Sequence, residues 1–75
     1  MIDLNDIGIT LKPEEVGYII NGAFSEWDLS DSEIDRAIAK IDYSKVEVAA
    51  RKLVDPQDRR NAVVDEIIKQ VYDLV

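Results

Sequence analysis

The chain has 75 residues with a formal net charge of −7, and it contains neither cysteine nor histidine. This length suits a single small domain, residues 1–75, without disulfides, thiolate metal sites or the commonest general base. No apolar run approaches the roughly 18 residues of a membrane span, and no signal peptide pattern is present. We therefore expect no membrane partner. The expected location is the cytoplasm, or a virion that is assembled there.

Residues 1–12 alternate loosely between apolar and polar side chains, and Gly8 interrupts the pattern. Such a segment is either an extended arm packed on helices or a short strand. Because a lone strand needs a partner, we predict an N-terminal arm and no sheet.

Pro13 begins the first predicted helix, residues 13–24. Proline suits the first helical position, and the two glutamates that follow it lie where the helix dipole favours negative charge. Asn21-Gly22 is typical of a turn, but apolar residues continue at helical spacing as far as Phe24. We therefore expect the helix to run through this dipeptide.

Ser30 and Glu33 form a capping-box pattern, in which each side chain binds a backbone N–H group of the other residue. Apolar residues then recur at helical spacing as far as Ile41. The second predicted helix therefore covers residues 31–41.

Ser44 and Glu47 repeat the capping-box pattern and predict a third helix over residues 45–54. One continuous helix over residues 31–54 is the alternative, because the apolar spacing does not exclude it. We favour two helices, since two separate capping patterns are strong local evidence.

Asp55 and Pro56 begin the longest predicted helix, residues 56–74. Its apolar side chains cover about half of the circumference, nearly twice the arc that one neighbour requires. We expect at least two helices to pack against it, with Ile67 in the core. The predicted fold is thus an all-α, compact four-helix domain with an extended N-terminal arm.

The wide apolar arc also suggests a structural homo-oligomer assembled through the fourth helix. Three short helices need not cover all of the arc, and a symmetric dimer is the commonest way to bury the remainder. The alternative is that the N-terminal arm covers it within one chain. The predicted oligomer interface consists of Val71, Leu74 and Val75.

Charge is divided unevenly: residues 1–35 carry nine acids and one base, and residues 36–75 carry seven acids and eight bases. An acidic half disfavours nucleic acid and favours a basic protein partner, although negative charge also serves solubility. The predicted partner-binding residues are Glu26, Trp27, Asp28, Asp31 and Asp35.

Trp27 is the only tryptophan and is predicted to lie in a loop. Tryptophan is enriched among the residues that dominate binding energy at interfaces. In small domains it also covers the core from a loop, and we expect this second role for Trp27.

A further alternative is weak nucleic-acid binding by the bases near the junction of helices three and four. Nearby carboxylates favour local ion pairs over phosphate contacts. The four residues are Arg51, Lys52, Arg59 and Arg60.

The segment from Asp3 to Glu14 partly matches the spacing of an EF-hand calcium loop. However, Ile7 stands where the loop requires an oxygen ligand, so we predict no metal site. No nucleophile and base can be paired from the sequence, and we therefore predict neither an enzyme nor a cofactor.

Residues 29–42 resemble a helix of the small head–tail adaptor proteins of tailed phages. The resemblance covers only these fourteen residues. We predict a non-enzymatic protein–protein interaction module, for example a phage or mobile-element adaptor or inhibitor, that binds a basic surface through its acidic N-terminal half.

Overall fold

The computed structural model describes residues 2–74, and its four helices confirm the all-α class. The helices are α1 (Pro13–Ala23), α2 (Asp31–Lys40), α3 (Tyr43–Arg51) and α4 (Pro56–Leu74). Two strands, β1 (Ile2–Leu4) and β2 (Ile9–Leu11), and two short 3-10 helices, Asn5–Ile7 and Ser25–Trp27, complete the described chain. Within residues 2–74, no helix is long and apolar enough to cross a membrane.

The extended N-terminal segment forms an antiparallel hairpin, so the prediction of no sheet was wrong. Ile2 pairs with Leu11, and Leu4 pairs with Ile9. The partner strand comes from the same short segment, because the 3-10 turn and Gly8 reverse the chain. Gly8 has φ of 68°, a left-handed conformation that glycine adopts without steric cost.

The hairpin contributes to the hydrophobic core. Leu4, Ile7 and Leu11 are buried, and the 3-10 turn between the strands packs on α3. Alternation along each strand places one apolar face against the helices and leaves the other face in solvent.

Two of the predicted helix starts are confirmed by their hydrogen bonds. The Glu33 backbone N–H donates to the Ser30 hydroxyl oxygen at 3.3 Å, and the Ser30 N–H donates to the Glu33 carboxylate at 3.3 Å. At the start of α4, the backbone N–H groups of Gln57 and Asp58 both donate to the Asp55 carboxylate.

The predicted start of α3 was wrong, although the prediction of two separate helices is confirmed. Asp42 is the N-cap, and its carboxylate accepts from both the backbone N–H and the hydroxyl of Ser44. Aspartate and serine cap helices about equally well, and the earlier residue takes the position here. The helix also ends at Arg51, three residues before the predicted end at Val54.

Helix α4 packs against both α1 and α3, as its wide apolar arc predicts. Val63, Ile67 and Val71 recur at intervals of four residues and are buried along one stripe. Helix α2 packs on α1. The last turns of α4 bring Tyr72 against Phe24 and Trp27.

Candidate protein-interaction site

Trp27 is half exposed at the end of the 3-10 turn that follows α1. Its backbone N–H donates to the Phe24 carbonyl at 3.0 Å, which fixes the turn. The indole ring packs edge-to-face with the ring of Phe24 at a centroid distance of 5.4 Å and with that of Tyr72 at 5.8 Å. Trp27 packs on the buried Phe24 and covers part of the core, while 48% of its surface remains exposed.

Glu26 and Asp28 flank Trp27, and both are exposed. Asp28 has φ of 52°, a left-handed conformation that aspartate tolerates better than most residues. This conformation ends the 3-10 turn and leads the chain into α2. Trp27 is therefore presented between two carboxylates on a turn with defined hydrogen bonds.

Asp31 and Asp35 are also exposed, one turn apart on α2. At about 100° per residue they lie on the side of α2 away from Arg36 and Lys40. The acids predicted to bind a partner therefore form two groups, one beside Trp27 and one along the outer flank of α2.

A groove of about 410 Å³ separates α2 from the end of α4 and begins at Trp27. We call it the α2–α4 groove. Its residues are Trp27, Leu29, Glu33, Arg36, Ala37, Lys40 and Leu74. The Glu33 carboxylate is engaged by the N–H and hydroxyl groups of Ser30, whereas neither base of the groove forms an ion pair within residues 2–74.

The residues predicted to form an oligomer interface have different environments. Val71 is fully buried in the core of one chain, so it offers no surface to a second subunit and this assignment was wrong. Leu74 is 45% exposed. Val75 lies outside the described residues.

The four bases near the α3–α4 junction do not form one free basic surface. Arg51 pairs with Asp6 of the hairpin turn, and the Arg59 Nε group donates to the Leu53 carbonyl at 2.6 Å. Lys52 and Arg60 are exposed. Two of the four side chains thus have structural roles.

Tyr72, Arg36 and Lys40 were missed as site residues by the sequence analysis. The two bases are four residues apart and therefore share one face of α2, a signal that the sequence contains. The contact of Tyr72 with Trp27 joins residues 45 positions apart, and no local pattern indicates it.

No group of three residues able to hold a metal ion occurs in the described part of the chain. The candidate site is an aromatic cluster in which Trp27 and Tyr72 are exposed and Phe24 is buried, with two acids next to Trp27 in the chain and a partly apolar groove that begins at Trp27. Searches of protein-family models, curated proteins and solved structures gave no match for this chain.

Proposed function

We propose that this protein is a non-enzymatic interaction module that binds a basic segment of a partner protein around Trp27. One observation carries the proposal: a half-exposed tryptophan is supported by two other aromatic rings and flanked by two exposed carboxylates. An adaptor or inhibitor role, in a phage or another mobile element, is a hypothesis within this proposal.

The aromatic contacts prepare Trp27 for binding. Phe24 and Tyr72 restrict the indole ring before a partner arrives, so less side-chain entropy is lost on association. A lysine or arginine of the partner can contact the exposed part of the indole ring, while Glu26 and Asp28 supply opposite charge. Tryptophan at such a position is commonly a residue on which binding energy depends.

The net charge of −7 adds a long-range contribution. Exposed acids such as Asp31 and Asp35 attract a basic partner at distances beyond contact and raise the association rate. Salt screens this attraction over about 10 Å at 0.1 M ionic strength. The proposal therefore predicts binding whose association rate falls as salt concentration rises.

The probe for this proposal is an unstructured peptide of alternating lysine and serine, and the readout is Trp27 fluorescence. Trp27 is the only tryptophan, so its emission reports directly on the proposed site. Three double variants each remove two negative charges: Glu26→Gln with Asp28→Asn, Asp31→Asn with Asp35→Asn, and the control Asp3→Asn with Asp65→Asn.

We expect the first double variant to weaken equilibrium binding about three- to tenfold and the second mainly to lower the association rate. The control should change both quantities least, because its residues lie in β1 and the middle of α4. Equal effects of all three would assign binding to net charge alone and contradict a site at Trp27. Pull-downs from source-cell lysate with the wild-type protein and the first double variant then identify the partner.

The alternative of a homo-oligomer through α4 retains Leu74 from its predicted interface, and the structure adds the exposed Tyr72 beside it. Sedimentation of the free protein over a concentration series separates the two proposals. A mass that stays monomeric at high concentration supports the interaction module.

A further inference from the structure

The α2–α4 groove differs in charge from the surface beside it. Arg36 and Lys40 line one wall, one helical turn apart, and both are exposed. Trp27 lines the other end of the groove, and the exposed acids Glu26 and Asp28 are its neighbours in the chain. With Glu33 counted among the acids, the charge along the groove thus changes from negative near the start of α2 to positive toward its end.

Four of the seven groove residues are apolar, and the carboxylate of Glu33 lies among them. Trp27, Leu29, Ala37 and Leu74 supply the apolar surface, and the ring of Trp27 and the side chain of Leu74 are each about half exposed. A volume of about 410 Å³ accommodates side chains from more than one residue of a partner. The shape and composition suit an aliphatic anchor of the kind that helices place in grooves.

We infer that the α2–α4 groove binds an amphipathic helix of the partner, with an aliphatic side chain on Trp27 and Leu74 and a carboxylate against Arg36 and Lys40. The inference rests on the proposed function, because the basic end of the same helix lies beside Glu26 and Asp28. The charge pattern of the groove therefore specifies three features of the partner in order: base, aliphatic residue, acid.

Helix electrostatics also specify the direction of the partner. A helix is stabilised by acids in its first turn and bases in its last. For such a helix to match the groove, its first turn must lie beside Lys40 and its last turn beside Trp27. The partner helix thus runs antiparallel to α2. At 1.5 Å per residue α2 is roughly 15 Å long, so a partner helix of about ten residues matches its length.

The probe is an alanine-based peptide of about ten residues, with blocked ends and a hydrocarbon cross-link on its outer face to maintain the helix. Glutamates occupy the first turn, two leucines one turn apart occupy the middle, and lysines occupy the last turn. In one control peptide glutamines replace the glutamates, and in another alanines replace the leucines. None contains an aromatic residue, so Trp27 emission measures each binding curve.

We expect the glutamate peptide to bind the wild-type protein about fivefold more tightly than the glutamine peptide. This difference in affinity corresponds to two exposed ion pairs, each of which contributes about 0.5 kcal/mol to binding. The alanine peptide should bind more weakly than either. In the Arg36→Gln, Lys40→Gln variant, the glutamate peptide should bind no more tightly than the glutamine peptide. The matched variant, Lys52→Gln with Lys69→Gln, should retain the difference.

The outcomes distinguish this inference from the proposed function. Equal binding of the glutamate and glutamine peptides to the wild-type protein would overturn the inference, while binding of the lysine–serine probe would still support the proposed function. Failure of the lysine–serine probe and of all the helical peptides would overturn both. Trp27 emission of the free protein could also shift to shorter wavelength as its concentration rises. That result would show that a second copy of the chain occupies the groove, and it would overturn the inference.

Discussion

The side-chain amide of Gln70 forms two hydrogen bonds with the backbone of Asp42. Its oxygen accepts from the Asp42 N–H at 2.7 Å, and its nitrogen donates to the Asp42 carbonyl at 3.1 Å. One residue of α4 thereby satisfies both backbone groups at the junction of α2 and α3. This contact fixes where the chain changes direction between the two helices.

Replacing Gln70 tests the contribution of this contact. Gln70→Ala should lower the free energy of unfolding by about 1–2 kcal/mol, since two hydrogen bonds are lost at a partly exposed site. Gln70→Glu should cost at least as much, because it retains the acceptor but places a carboxylate against the Asp42 carbonyl. Urea unfolding measures both. Gln57→Ala is the control, with an expected change within about 0.5 kcal/mol.

Ile67 is fully buried in the middle of α4. Ile67→Ala should lower the free energy of unfolding by about 2–5 kcal/mol, through lost apolar burial and the cavity that remains. Val54→Ala is the control, because Val54 is 90% exposed and its truncation removes little buried surface. Chemical denaturation that gives less than about 1 kcal/mol for Ile67→Ala would contradict its place in the core.

The pKa of the Asp42 carboxyl lies below its usual value, chiefly because the Ser44 hydroxyl donates to it, with further hydrogen bonds from the backbone N–H groups of Lys45 and Ser44. A pKa lowered by folding stabilises the native state above the unfolded pKa of about 3.9. This stabilisation is lost as the pH falls through the folded pKa.

Asp42→Asn should therefore reduce the loss of stability below about pH 4, because asparagine can cap the helix but does not titrate in this range. Urea midpoints measured from pH 6 to pH 2.5 give the comparison. Ser44→Ala should act in the same direction, since it removes the principal cause of the lowered pKa. Parallel pH profiles for all three proteins would rule out this linkage.

The contact between Tyr72 and Trp27 should be visible in fluorescence. Tyr72→Ala removes one of the two rings that support the indole, so Trp27 emission should shift to longer wavelength and acrylamide should quench it more strongly. The lost aromatic contact should cost about 0.5–1.5 kcal/mol of stability. Tyr18→Ala provides the control, because Tyr18 is 76% exposed and makes no aromatic contact with Trp27 within residues 2–74. An unchanged spectrum for Tyr72→Ala would contradict the observed packing.

The sequence predicted those features that depend on neighbouring residues. Ser30 and Asp55 start helices as expected because a cap needs only the next three residues. The wrong prediction for the start of α3 has the same local basis, since both Asp42 and Ser44 are suited to the N-cap position of this helix. The hairpin was missed because its strands have three residues each, too few for alternation to distinguish a strand from an arm.

The candidate site was predicted only in part, because it combines residues that are distant in the chain. Glu26, Trp27 and Asp28 are adjacent and stood out in the sequence. The groove beside them requires Leu74 to approach α2, which follows from the packing of α4 against α1 and α3. Likewise, burial of Val71 depends on how the whole core closes.

The placement of the hairpin has a consequence for the order of folding. Its turn is distant from α3 in the chain but packs on it, and the Asp6–Arg51 ion pair closes a loop of 45 residues. Loop closure over this distance costs chain entropy before the buried contacts are gained, so we expect the helices to associate first and the hairpin to dock late. Destabilising substitutions at Leu4 should then accelerate unfolding and leave the folding rate nearly unchanged.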